Sequence, residues 1–120
     1  MNATQLEKIV VNALEDIKGR DIEVINTAKL TPLFERIVVA SGDSNRQVRS
    51  LARNVEDKVR EAGGEIISTE GEDGGEWVLV DLGDIVVHIM QPAIRSYYNL
   101  EELWGGKGPE RVRKATAAAA

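Results

Sequence analysis

The chain of 120 residues has no cysteine, which excludes a disulfide framework, a thiolate zinc site, a cysteine-held iron–sulfur cluster and a thiol nucleophile together. A reducing compartment suits such a composition. Histidine is almost as scarce: His88 stands alone, so a zinc site would need all its other ligands from distant carboxylates, and no metal or cofactor is expected. Aromatics are few, with two Trp, two Tyr and one Phe, so Val, Ile and Leu must supply most of the buried area. Long apolar runs are missing too, and no stretch would span a bilayer. The first residues, among them Thr4, Gln5 and Glu7, lack the basic stretch and greasy run of an export or transit signal. A soluble, cytoplasmic protein is expected, with no membrane contact.

One hydrophobic core is sustainable at this length, whereas two would each be marginal. The net charge of −5 is unevenly spread: residues 1–104 hold 11 Lys/Arg against 19 Asp/Glu, and residues 105–120 hold 4 against 1. The division implies a folded acidic body over 1–104 and a flexible basic tail over 105–120, which opens with Gly105-Gly106 and Gly108-Pro109 and closes on alanines. An acidic body is repelled by a phosphate backbone, so direct nucleic-acid recognition by the domain is not expected; a basic protein partner would be attracted.

Apolar residues Leu6, Ile9, Val10, Ala13, Leu14 and Ile17 recur at helical spacing, with Thr4 and Glu7 placed for a capping box and Gly19 as a stop. This predicts a helix over 4–18. Two strands should follow, 22–25 and 34–40, the second covered on both faces because Ile37, Val38 and Val39 run without alternation. A second helix starts at Ser44, again with a box partner in Gln47, and buries Val48, Leu51, Ala52, Val55, Val59 and Ala62 before Gly63-Gly64. Residues 65–69 read as a strand, 70–75 as an acidic turn, and 76–82 and 85–90 as a hairpin closed at Gly83-Asp84. Pro92 ends the last strand, and 94–104 reads as a short turn or helix holding Tyr97, Tyr98 and Trp104. The α-β-β-α-β-β-β-α order predicts a single α/β domain: a mixed sheet of about five strands flanked by helices.

Candidates for chemistry are thin. His88 lies between Val87 and Ile89 in a strand and reads as a structural or interface histidine rather than a catalytic one. Asp81 and Asp84 flank Leu82-Gly83, where hairpin turns favour such residues for local backbone reasons. Gly42 before the second helix, with Arg46 and Arg49, could accept a phosphate as nucleotidyltransferases do. Those enzymes also hold Mg²⁺ between close carboxylates, and no Asp-x-Asp occurs. In the hairpin, the all-aliphatic set Val78, Val80 and Leu82 suits burial, which puts Trp77 and Asp81 on the less buried face, and an exposed Trp is a frequent binding anchor.

Residues 75–90, Gly-Glu-Trp-Val-Leu-Val-Asp-Leu-Gly-Asp-Ile-Val-Val-His-Ile-Met, followed by Arg95, Tyr98, Leu100, Glu101, Leu103 and Trp104, resemble the signature of the ribosomal silencing factor (Iojap-like) family. The likeness extends upstream through residues 18–22 and 41–48. It implies a fold distantly similar to nucleotidyltransferases without their catalytic carboxylates. It also implies a non-enzymatic role: docking on the fourteenth protein of the large ribosomal subunit, blocking subunit joining sterically and lowering translation when nutrients are scarce. Carried over by position, the contact surface comprises Trp77, Asp81, Leu82, His88, Met90, Arg95 and Tyr98. Leu82 stands where many members carry an aromatic, and Phe34-Glu35-Arg36 replaces a Thr-Asp-aromatic run. The alternative function is that of a degenerate, nucleotide-binding relative of the transferases. The hairpin could also supply a sheet edge whose self-pairing makes a homodimer in isolation.

Overall fold

The computed structural model describes residues 1–106 and 111–114. Helix α1 (Ala3–Asp16) starts one residue earlier than the sequence suggests, because Asn2 is its cap. The Asn2 side chain accepts from the Gln5 N–H at 2.8 Å, and Gln5 Oε1 accepts from the Asn2 N–H at 3.0 Å. Two amides at the helix start are thereby satisfied reciprocally. Thr4 and Glu7, expected to form that box, are engaged elsewhere: Arg36 donates to Glu7 Oε1 at 3.0 Å and to Thr4 Oγ1 at 3.3 Å. Helix α2 (Asn45–Glu61) does start at Ser44, whose hydroxyl accepts from the Gln47 N–H. The Gln47 carbonyl oxygen, however, accepts from the Asp43 N–H, and its amide donates to the carbonyls of Ile17 and Lys18, which ties the start of α2 to the end of α1.

The strands are β1 (Arg20–Asn26), β2 (Arg36–Ser41), β3 (Ser68–Glu70), β4 (Trp77–Asp81), β5 (Ile85–Met90) and β6 (Arg111–Lys114), in sheet order β3-β4-β5-β2-β1-β6. All neighbours are antiparallel except β2 and β5, joined in parallel through α2 and the β3–β4 pair. A third helix, α3 (Pro92–Tyr98), follows β5, and Pro92 both ends the strand and opens the helix, where its missing N–H costs nothing. After it Glu102–Gly106 forms one π-helical turn. The expected α/β architecture, mixed sheet and element order are therefore present.

Two expectations change. The flexible tail expected over 105–120 contains β6, which pairs with β1, Glu23 opposite Lys114 and Val24 opposite Arg113. An open edge of β1 offers unpaired backbone groups to any extended segment, and that attraction is invisible to local composition. Residues 107–110 and 115–120 lie outside the described residues. The hairpin, second, is not a sheet edge: β4 also pairs with β3 and β5 with β2. A homodimer made by pairing its edge has no free strand to use.

Alternation sorts the side chains onto two faces. On one face Ile22, Val24, Val38, Ala40, Val78, Val80, Ile85, Val87 and Ile89 meet the inner sides of α1 and α2, forming the main core. Gly42 belongs to this packing, since a Cβ there would come within 3.0 Å of Val48. On the other face Ile25, Ile37, Val39 and Met90 are covered by Phe34, Trp77, Ile94, Leu100 and Trp104, a smaller cluster under α3 and the π turn. That cover is partial, and it leaves Leu79 and Asp81 of β4 partly exposed. No helix among the described residues is long and apolar enough to cross a membrane.

Candidate partner-binding surface

The open part of the second face is a groove of about 560 Å³. Its floor comes from strand positions that alternate away from the main core: Leu79 and Asp81 of β4, Val86 and His88 of β5, and Ile37 of β2. Leu33 and Phe34 wall it on one side, and Leu100 and Trp104 come from the segment after α3. Phe34 and Trp104 meet edge to face at 5.5 Å between ring centres, an arrangement that aligns one ring's positive edge with the other's negative face. Glu70 and Asp81 are its charged members, and no Lys or Arg is among its lining residues.

Trp77 sits beside this groove, half-buried, between α3 and the sheet. Its indole Nε1–H donates to His88 Nδ1 at 3.0 Å, and its ring lies 4.8 Å from that of Tyr98. Tyr98 in turn meets Tyr97 edge to face at 5.0 Å. Tyr97, at 80% exposed, and Leu103, at 72%, extend the apolar surface outward. The loop before Trp77 is held close to it by Gly71, where φ is +87° and a Cβ would fall 2.1 Å from the Trp77 carbonyl oxygen. Only glycine fits there.

His88 is buried, and that burial pushes its pKa down from the ordinary 6.5 to about 4, so the imidazole is neutral at physiological pH. Asp81 turns one carboxylate oxygen back to the Gly83 N–H at 2.9 Å, the local role that the turn sequence suggests, while its side chain stays partly open to the groove. Gly83 takes φ +90° at that corner.

Not every residue carried over from the resemblance reaches the surface. Trp77, His88 and Tyr98 come together through the Trp77–His88 hydrogen bond and the Trp77–Tyr98 ring contact, with His88 only 8% exposed at the base of the groove, and Asp81 lines the same groove. Leu82 turns to the opposite face and joins the main core, as strand alternation requires. Met90 is fully buried beneath α3. Arg95 is buried as well: its Nε donates to Glu101 Oε2 at 2.8 Å, its Nη1 to the Ser41 hydroxyl at 2.9 Å and its Nη2 to Glu23 Oε2 at 3.3 Å. It fastens α3 and the segment after it to β1 and β2. Burial alone would raise the Glu101 pKa, but the Arg95 charge and hydrogen bond outweigh it and hold that carboxyl below its ordinary value. Leu33, Leu79 and Val86, by contrast, are groove residues that the candidate set omitted, although Leu79 and Val86 follow from the same period-two rule that exposes Trp77.

The phosphate reading of Gly42–Arg49 finds several of its groups engaged elsewhere, although Arg46 stays exposed. Ser44 caps α2, Asp43 pairs with Arg20, and Arg49 donates to the Glu72 and Asp73 carbonyls, which pins the 70–75 turn. Among the described residues no group of His and carboxylate side chains could hold a metal ion.

Residues 1–120 match the family described as ribosomal silencing factor during starvation. The chain belongs to the ribosomal silencing factor family. A ribosomal silencing factor of Chromobacterium violaceum is 56% identical over 109 residues, 91% of this chain and 89% of that one. A crystal structure of a protein from the same organism superposes with a TM-score of 0.87 at 52% identity, covering 100% of both chains. More distantly, the mouse protein named mitochondrial assembly of ribosomal large subunit protein 1 is 29% identical over 99 residues, 80% of this chain but 43% of that longer one. The family is named for a regulatory effect on the ribosome, and this member keeps the Trp77–His88 hairpin and the segment ending at Trp104 that pointed to it.

Proposed function

We propose that this silencing factor docks on the large ribosomal subunit through its fourteenth ribosomal protein and sterically prevents subunit joining, repressing translation in the cytoplasm when nutrients are limiting. The groove carries this reading: a largely apolar lining that includes Phe34 and Trp104, with Glu70 and Asp81 its only charges. Such a surface suits a basic protein, because a few desolvated aromatic anchors supply affinity while complementary charge steers approach. The reaction is occlusion, and it asks no bond-making of the protein. A homodimer in isolation belongs to the same proposal, by a contact other than hairpin pairing, and light scattering at high concentration measures it.

Co-sedimentation with purified large subunits tests the docking, and adding small subunits while following light scattering tests the block. The protein should travel with large subunits and lower the yield of joined ribosomes. Absence of co-sedimentation, together with a nucleotide-dependent rise in melting temperature, would instead favour the nucleotide-binding alternative, since a ligand that binds only the native state must stabilise it.

A further inference from the structure

An indole N–H can only donate, so the 3.0 Å contact from Trp77 Nε1 requires His88 Nδ1 to be an acceptor without a proton. In a neutral imidazole the single proton then belongs to Nε2. That nitrogen is not sealed in the interior: His88 lines the groove, and Nε2 is absent from the buried polar atoms that lack a partner. Among the described residues nothing hydrogen-bonds to it. The groove floor around it is formed by Leu79, Val86 and Ile37, with the Asp81 carboxylate, one oxygen of which accepts from the Gly83 N–H, its one other polar member.

We infer that Trp77 locks His88 as its Nε2–H tautomer and that this N–H is a fixed donor for a backbone carbonyl of a basic protein segment seated in the groove. This rests on the docking proposed above and says what the occupant must present. Glu70 and Asp81 line the same groove, so an anionic acceptor would be repelled and a neutral peptide carbonyl is favoured, with a neighbouring Lys or Arg of the partner reaching the carboxylates. Because its N–H is spent on His88, Trp77 itself offers the partner only ring surface. Positioning residue and recognition residue are thus separate: Trp77 sets the proton, and His88 uses it. An unlocked imidazole would exchange between two tautomers, and in one of them a carbonyl would meet a lone pair.

The single histidine makes the test direct. Two-bond ¹H–¹⁵N correlation spectra of the labelled free protein near neutral pH should show one tautomer, with the proton on Nε2, and Trp77→Phe should introduce a second population. Observation of a proton on Nδ1, or of tautomer exchange in the parent, overturns the lock whatever the protein binds. The recognition role is read from affinity for purified large subunits. His88→Leu should weaken binding about tenfold, the effect of one lost interfacial hydrogen bond, while His88→Gln, whose amide N–H falls near Nε2, should stay within about threefold of the parent. Equal binding by folded His88→Leu protein overturns the recognition role. If a folded Trp77→Ala protein also binds undiminished, the docking surface itself lies elsewhere, an outcome distinct from failure of the tautomer lock.

Discussion

The Arg95 guanidinium bridges the segment after α3 to β1, with Nε 2.8 Å from Glu101 and Nη2 3.3 Å from Glu23. Both pairs are largely shielded from water, and Ser41 takes a third hydrogen bond. Breaking such a pair from one side leaves a buried carboxylate without its counter-charge, which costs far more than the pair contributes. Arg95→Met should therefore destabilise the fold by about 3 kcal/mol or more. Urea denaturation followed by circular dichroism measures it, and a loss under about 1 kcal/mol would show that α3 is held chiefly by Ile94, Leu100 and Trp104.

Trp77→Ala should weaken large-subunit binding by about 2 kcal/mol or more, the range of a hot-spot truncation. Since this Trp also covers Met90, circular dichroism must show the variant folded. Glu15→Lys, on the exposed side of α1 across the sheet, is the matched control and should bind as the parent does.

Asp81 requires two variants because it has two roles. Asp81→Asn keeps an oxygen for the Gly83 N–H and removes only the charge, so it should slow association without loosening the hairpin. Asp81→Lys should go further and reverse the salt trend, with added salt now aiding association by screening repulsion. Stopped-flow association rates across a salt series decide this; parallel curves for parent and Lys variant would remove Asp81 from the interface.

Acid should destabilise the native state through His88. Its folded pKa, about 4, lies below the ordinary 6.5, so between these values the unfolded chain binds the proton and the folded one does not. Stability is then intact above pH 6.5 and falls as pH drops toward 4, by up to about 3 kcal/mol. Protonation would also set an Nδ1–H against the Trp77 N–H. The neighbouring charges are the Asp81 and Glu70 carboxylates, with Tyr98 beyond Trp77. The Glu101 carboxyl, held low by Arg95, adds to acid loss only below its unfolded value of 4.5. Urea midpoints should decline between pH 6.5 and 4.5 in the parent and stay flat in His88→Gln.

Truncation after Trp104 removes β6 and the basic residues Lys107, Arg111, Arg113 and Lys114. Large-subunit binding should persist, with any reduction confined to low salt, where exposed charges are least screened. Uncovering β1 should also raise self-association, which sedimentation velocity would register. Binding lost equally at all salt concentrations would assign the segment to the specific interface.

Elements whose signals are local were readable in the sequence. The hairpin closed at Gly83-Asp84 places strand β5 at 85–90, and the buried set Val78, Val80 and Leu82 follows from alternation alone. Leu82 is the instructive conflict: periodicity put it in the core, resemblance put it on the contact surface, and the fold follows periodicity. Arg95 and Met90 depart from the expected contact surface for another reason. Their burial depends on where α3 lies over the sheet, and nothing within a few residues of either encodes that position. The Phe34–Trp104 contact that walls the groove, and the pairing of β6 with β1, likewise join segments remote in sequence. Long-range packing decides such contacts, and a single sequence shows only the surfaces available for it.

The parallel pairing of β2 with β5 sets a schedule for the protein's own synthesis. Residues 42–84 must be made before the two strands can meet, and the loop they close is slow to form. Groove residues run from Leu33 to Trp104, so a half-made copy ending at Gly64 holds both long helices but no part of the hairpin. Such a fragment should fail to sediment with large subunits at any concentration. On the proposed docking, a nascent chain of this factor has no occluding face to turn on the ribosome that is making it until translation of its message is almost complete.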